Sequence, residues 1–122
     1  MVLAFVGSRD WFNRDKIYEV MSKKKELAAK LGEDLTIVSG GAQGADSLSE
    51  SVAKELGINV IVYNAQWKQY GKAAGPIRNQ RILDDGRPDM VVAFRKKGAS
   101  KGTDNMLEKT RKRKIPIEIY SD

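Results

Sequence analysis

The chain contains four stretches whose residue types and spacing suit the holding of an anion or a nucleobase. In Ser39-Gly40-Gly41-Ala42-Gln43-Gly44-Ala45-Asp46, three glycines allow close approach of the backbone to a ligand. Where such a loop feeds a helix, bare amides and the helix dipole favour negative charge. The loop is neither the dinucleotide-binding G-x-G-x-x-G pattern nor a P-loop, because it lacks the lysine. A carboxylate repels phosphate, so Asp46 is expected either to cap the helix or to hydrogen-bond a ribose hydroxyl. In Gly7-Ser8-Arg9-Asp10, glycine permits a tight turn, serine and the amides donate, and arginine can grip a phosphate with two parallel bonds. Gly98-Ala99-Ser100-Lys101-Gly102-Thr103-Asp104-Asn105 reads as a second phosphate cradle, or as a surface loop ended by a Thr or Asp cap. In the run from Trp67 to Asn79, Trp67 or Tyr70 could stack on a base, and Arg78, followed by Asn79, could reach a phosphate. Trp67 equally fits a core position.

What is missing narrows the chemistry further. The 122 residues include no cysteine and no histidine, which removes disulfides, thiolates, serine–histidine triads and the commonest transition-metal ligand. Catalysis would have to run on carboxylates, lysine, arginine, hydroxyls or backbone dipoles, and a carboxylate-held Mg²⁺ stays open. The net charge is +6 and is unevenly placed. Residues 1–61 carry 8 basic and 9 acidic side chains, whereas residues 62–122 carry 14 and 7. A positive second half favours a nucleotide, a phosphate or nucleic acid as partner. The runs Lys23-Lys24-Lys25 and Lys109–Lys114 read as solvated helix faces. The N-terminal MVLAFVGSRDW is apolar for only about six residues, too short for a signal peptide or a spanning helix, so a soluble cytoplasmic protein with no membrane partner is expected. A second copy of the chain, forming a homodimer, is an open partner.

These loops must be positioned by an alternation of short apolar runs and helical stripes. Strands are expected at Val2–Val6, Leu35–Val38, Asn59–Tyr63, Met90–Phe94 and Ile115–Ile119. Between them lie helical patterns over Asn13–Leu31, Ala45–Leu56, Gly75–Asp85 and Thr103–Arg113, with Gly32, Gly57 and Gly86 as stops and Pro76 in a first turn. Such βαβ units stack into a parallel sheet with helices on both faces. Right-handed crossovers leave few topologies. The expectation is a single α/β Rossmann-like domain over residues 1–122 with a five-stranded, mainly parallel sheet of order 3-2-1-4-5. Ligands of such sheets sit outside the C-terminal strand ends where the order reverses, here between the first and fourth strands.

Taken in order, GSRDW, SGGAQGADSLSESVAKELG, WKQYGKAAGPIRNQRIL and GASKGTDNMLEK resemble the YspA-like branch of the SLOG superfamily, over about residues 2–119. That superfamily groups the DNA-processing protein DprA (Smf) with the LOG nucleotide phosphoribohydrolases. The resemblance implies a compact Rossmann-like fold and a pocket for a nucleotide or nucleotide-derived ligand. It implies ligand-binding roles for Gly40, Gly41, Gly44 and Asp46, and it places Arg78 at the arginine of the hydrolases' Arg-Lys pair, with Asn79 replacing the lysine. Gly102 and Thr103 match the Gly-Thr of the hydrolases' PGGxGTxxE motif, whose glutamate position is Met106. Glycosidic cleavage needs a carboxylate, which methionine cannot supply, and Asp104 lies about 200° away around a helix. Binding or sensing without turnover is therefore the expected function. The alternatives are a phosphoribohydrolase-like enzyme using Asp46, Arg78 or Asp104, and a DprA-like single-strand DNA binder.

Overall fold

The computed structural model describes residues 1–98 and 100–121. Its elements are β1 (Val2–Gly7), α1 (Arg14–Lys30), β2 (Thr36–Ser39), α2 (Ala45–Glu55), β3 (Asn59–Val62), α3 (Trp67–Tyr70), α4 (Ala74–Asp84), β4 (Met90–Phe94), α5 (Lys101–Lys112) and β5 (Ile117–Tyr120), with a 3₁₀ turn over Gly71–Ala73. The sheet order is β3-β2-β1-β4-β5, as expected, and every pair is parallel. Pro116 precedes an edge strand, where the lack of an N–H is harmless.

Alternation along the strands sorts the core into two layers. Leu3 and Phe5 of β1, Ile37 of β2 and Val92 and Phe94 of β4 face α1 and α2, where Trp11, Ile17, Met21 and Val52 complete the layer. Ala4 and Val6, Val38, Val91 and Ala93 face the other way, onto Ile82 and Leu83 of α4 and Met106 and Leu107 of α5. The helices stop by a shared device. In α1 and α2, Gly32 and Gly57 take left-handed angles and donate to Ala29 O and Lys54 O, while the next residues bond Ala28 O and Ala53 O.

Most boundaries shift by one or two residues, β5 for example running over Ile117–Tyr120 rather than Ile115–Ile119, and two of the differences lie around the site. The stretch before Gly75-Pro76 is not a bare loop: α3 and the 3₁₀ turn fold it, and α4 begins one residue earlier, at Ala74. A four-residue helix is too short to leave a periodic signal. Helix α5 starts at Lys101, so Gly102 and Thr103 lie in its first turn rather than in a loop. Ala99 of that expected cradle lies outside the described residues.

Candidate functional site

A cleft of about 1110 Å³ opens at the C-terminal ends of β1 and β4, the point where strand order reverses. The loop after β1, the glycine-rich loop after β2, the first turns of α4 and the start of α5 all line it. Of the residues singled out above, Gly7, Ser8, Arg9, Gly40, Gly44, Asp46, Trp67, Arg78, Asn79, Gly102 and Thr103 are brought together here. Gly41 lines a smaller adjoining pocket of about 390 Å³ with Asn64 and Trp67. Tyr70 lines neither.

The floor is a buried polar relay. Arg78, only 7% exposed, donates from Nε to Asn79 Oδ1 at 2.9 Å and from a terminal nitrogen to the Gly40 carbonyl. Asn79 Nδ2 passes the connection to Gly102 O at 3.2 Å and Asn105 Oδ1 at 3.1 Å. One chain of bonds thus ties the β2–α2 loop to α4 and to the start of α5. The guanidinium and the Asp46 carboxyl meet over Gly40, where a Cβ would stand 2.7 Å from Arg78 Nη1 and 2.9 Å from Asp46 Oδ2. This packing requires glycine at position 40.

Asp46 does not cap α2. The cap position is Gly44, with no side-chain bond, and Asp46 sits in the first turn with its Oδ2 accepting from Ala42 N–H at 3.2 Å. Its Oδ1 is buried and has no partner among the described residues. Nor is its pKa lowered, as a capping role would require. Burial pushes the carboxyl up to about 7, against the opposing pull of the Ala42 amide and the Arg78 charge, with Glu50 adding to the rise. The amide of Ala45 is used on Ser8 O, at 3.1 Å, while those of Gln43, Gly44 and Asp46 have no protein acceptor among the described residues.

Other expectations change in kind. Gly7 is a packing position: a Cβ there would meet Phe94 O at 2.2 Å and Ala45 Cβ at 2.7 Å. Gly44 has φ +73° and would press a Cβ against Arg9 O at 2.3 Å, and Gly41, at φ +70°, would press one onto Asn64 Oδ1. Gly44 is demanded by the neighbouring backbone, and Gly41 by its left-handed φ, since the Asn64 side chain can move. Ser8 is turned inward. Its Oγ accepts from Lys96 N–H at 2.9 Å and shares a hydrogen bond with Ser100 Oγ at 2.8 Å, and so it staples the β1 loop to the loop between β4 and α5. Thr103 is buried, and Met106 belongs to the core. Asp104 lies outside the cleft, held below the usual carboxylate range by its bonds to Arg95 at 2.7 and 3.0 Å.

The rim is aromatic and cationic. Trp67 is 49% exposed and carries the Arg9 guanidinium over its ring at 5.5 Å. In the same loop as Arg9, Phe12 is 77% exposed, with Lys96 over its ring at 5.4 Å. Phe12 was not singled out in the sequence, where nothing separates it from its neighbour Trp11, which is 1% exposed. Lys72 and Lys101 also line the cleft. The remaining basic runs are spent elsewhere, Lys24 on Glu118 at 2.8 Å and Arg113 on Asp84. Among the described residues no three acidic side chains cluster as a metal site, and no helix is long and apolar enough to cross a membrane.

A parallel sheet of order 3-2-1-4-5 with a glycine-rich cleft at its switch point defines the Rossmann-like α/β class. The family model for the YspA, cpYpsA-related SLOG family matches residues 1–70, more than half of the chain, and the chain belongs to that family. The matched span holds the β1 loop, the glycine-rich loop and Trp67; Arg78 and α5 lie beyond it. The fold is similar to that of DNA processing protein A (DprA) from Streptococcus pneumoniae, with a TM-score of 0.57 at 17% identity over 96% of this chain. The match covers 57% of the DprA chain. No curated protein matches the sequence.

Proposed function

We propose that the protein binds a nucleotide or nucleotide-derived phosphate ligand in this cleft. The observation that carries the reading is the convergence, at one switch point, of two loop amides without a protein acceptor among the described residues, three cations and a half-exposed tryptophan. Arg9, Lys72 and Lys101 supply positive charge along the cleft, and the amides of Gln43 and Gly44 supply donors for phosphate oxygens. Trp67 offers a face on which a base can stack once Arg9 swings aside. The fold and the family membership are consistent with this reading. Calorimetry of the full chain against a panel of nucleoside mono- and diphosphates and ADP-ribose tests it, alongside mass spectrometry of any small molecule that co-purifies. Binding of at least one nucleotide is expected, and silence across the panel would refute the reading.

Turnover is a second reading, favoured by one observation: a buried carboxyl near neutrality can donate or accept a proton at pH 7. Met106 removes the carboxylate that the related hydrolases carry, but Asp46 supplies another in the same cleft. Incubation with AMP, GMP, CMP and ADP-ribose, with and without Mg²⁺, decides the matter. Release of free base that is abolished by Asp46→Asn would make the protein an enzyme.

A further inference from the structure

Resting on the proposed nucleotide site, we infer that Asp46 Oδ1 is the acceptor for a sugar hydroxyl of the bound ligand, so that the cleft selects ribonucleotides over their deoxy counterparts. Asp46 lines the cleft yet is only 5% exposed. One of its oxygens is fixed by the Ala42 amide at 3.2 Å, and the other has no partner. Buried polar atoms in folded proteins are almost always hydrogen-bonded; of the unpartnered ones among the described residues, Ser22 Oγ, Ser49 Oγ and Asp46 Oδ1, only the last belongs to a residue lining the cleft, where a ligand can supply the missing donor. The ionised carboxylate can only accept, so its partner must donate, and a hydroxyl, which both donates and accepts, also serves the protonated carboxyl.

A nucleotide has two kinds of donor, on its base and on its sugar, and depth separates them. The side chains able to stack on a base, Trp67 at 49% exposure and Phe12 at 77%, stand at the rim. Asp46 lies at the floor, packed against Arg78 beneath Gly40. A base stacked on a rim aromatic leaves its sugar pointing down, and the phosphate is drawn to Arg9, Lys72, Lys101 and the amides of Gln43 and Gly44 rather than to the acid. Gly40 is the opening for this contact, since any side chain there would fill the space above Asp46 Oδ2 and Arg78 Nη1.

The test is calorimetric titration of the full chain with AMP, 2′-deoxy-AMP and 3′-deoxy-AMP, and with the corresponding guanine nucleotides. At least one ribonucleotide should bind about tenfold or more tightly than its 2′- or 3′-deoxy analogue, the scale of one hydrogen bond involving an ionisable group. In Asp46→Ala, the affinity for the deoxy form should persist and the ratio should fall to about one. Equal affinities of the wild type for ribo and deoxy forms would overturn the inference while leaving the nucleotide site standing, with Oδ1 then satisfied by water. Asp46→Ala weakening both forms equally would also overturn it, by making Asp46 a structural residue only. Failure of every nucleotide to bind would remove the site and the inference together.

Discussion

Replacing Arg78 by alanine withdraws donors from two acceptors at the cleft floor, Gly40 O and Asn79 Oδ1. A side chain that faced only a ligand could be removed with little loss of fold. This one is 7% exposed and joins segments 38 residues apart in sequence. Arg78→Ala is expected to cost about 2–4 kcal/mol, because charge-assisted bonds are lost and their partners stay buried. Urea denaturation reads this directly, and a cost below about 0.5 kcal/mol would show that the relay does not hold the floor together. Asp46 acts in the opposite sense. Its folded pKa of about 7 lies above the ordinary carboxyl value of 3.8, so between these pH values the folded state holds a proton that the unfolded chain has released. The stability it contributes is complete below pH 3.8 and is lost as pH rises to about 7. Asp46→Asn keeps the shape and removes the ionisation. The variant should be more stable than wild type at pH 8, by up to about 4 kcal/mol, with the gain shrinking as pH falls toward 4. A pH-independent difference in melting temperature would contradict the burial of this acid.

At the level of elements, loop geometry decides which substitutions are tolerated. Helix α5 ends like α1 and α2, with the amide of Lys114 bonded to Arg111 O at 3.0 Å and that of Ile115 to Thr110 O at 3.3 Å. Where those helices use glycine, Lys114 holds φ at 57° and bears the steric cost of a Cβ in the left-handed region. Lys114→Gly is expected to stabilise the fold by about 0.5–1 kcal/mol, read as a higher denaturant midpoint with an unchanged slope. Gly44 is the converse. With φ at +73° and Arg9 O 2.3 Å from any added Cβ, valine there cannot be accommodated without moving the β1 loop. Gly44→Val should therefore lose melting temperature together with nucleotide binding, and a variant of wild-type stability would show that the two loops are not locked together.

For the molecule as a whole, charge placement separates small-ligand from polymer binding. Much of the basic surplus of the second half is spent on intramolecular partners, among them Lys109 on Gln80 and Lys112 on Glu108. Arg9, Lys72 and Lys101 gather at the cleft. A mononucleotide neutralised there should show a shallow salt dependence. A single strand tracked by four or more phosphates would show a slope of about 3 in log affinity against log salt, at about 0.7 per phosphate. A shallow slope with AMP and no binding of oligothymidine is the expected outcome; a steep slope with oligothymidine would favour the polymer.

How far the sequence could be read depends on the range of the interactions involved. Strand order, parallel pairing and the location of the cleft were legible, because apolar periodicity, glycine stops and the handedness of βαβ crossovers are properties of short segments and of chain connectivity. That most of the residues singled out line one cleft was legible for the same reason: loops that follow strands in such a sheet must converge at one end. The state of those residues was not. Whether Trp11 or Phe12 enters the core depends on which side of the chain meets Phe94, whose ring lies 5.5 Å from Trp11. Whether Ser8 serves a ligand or the fold depends on Lys96 and Ser100, some 90 residues away in sequence. Asp46 carries the plainest lesson. Its position after a glycine-rich loop marks a helix start, but its unpartnered oxygen and the burial that lifts its pKa against the pull of Arg78 follow from the packing of separate segments around it. Desolvation depends on all the atoms packed around a group, whichever parts of the chain supply them, and so only the tertiary structure could decide it.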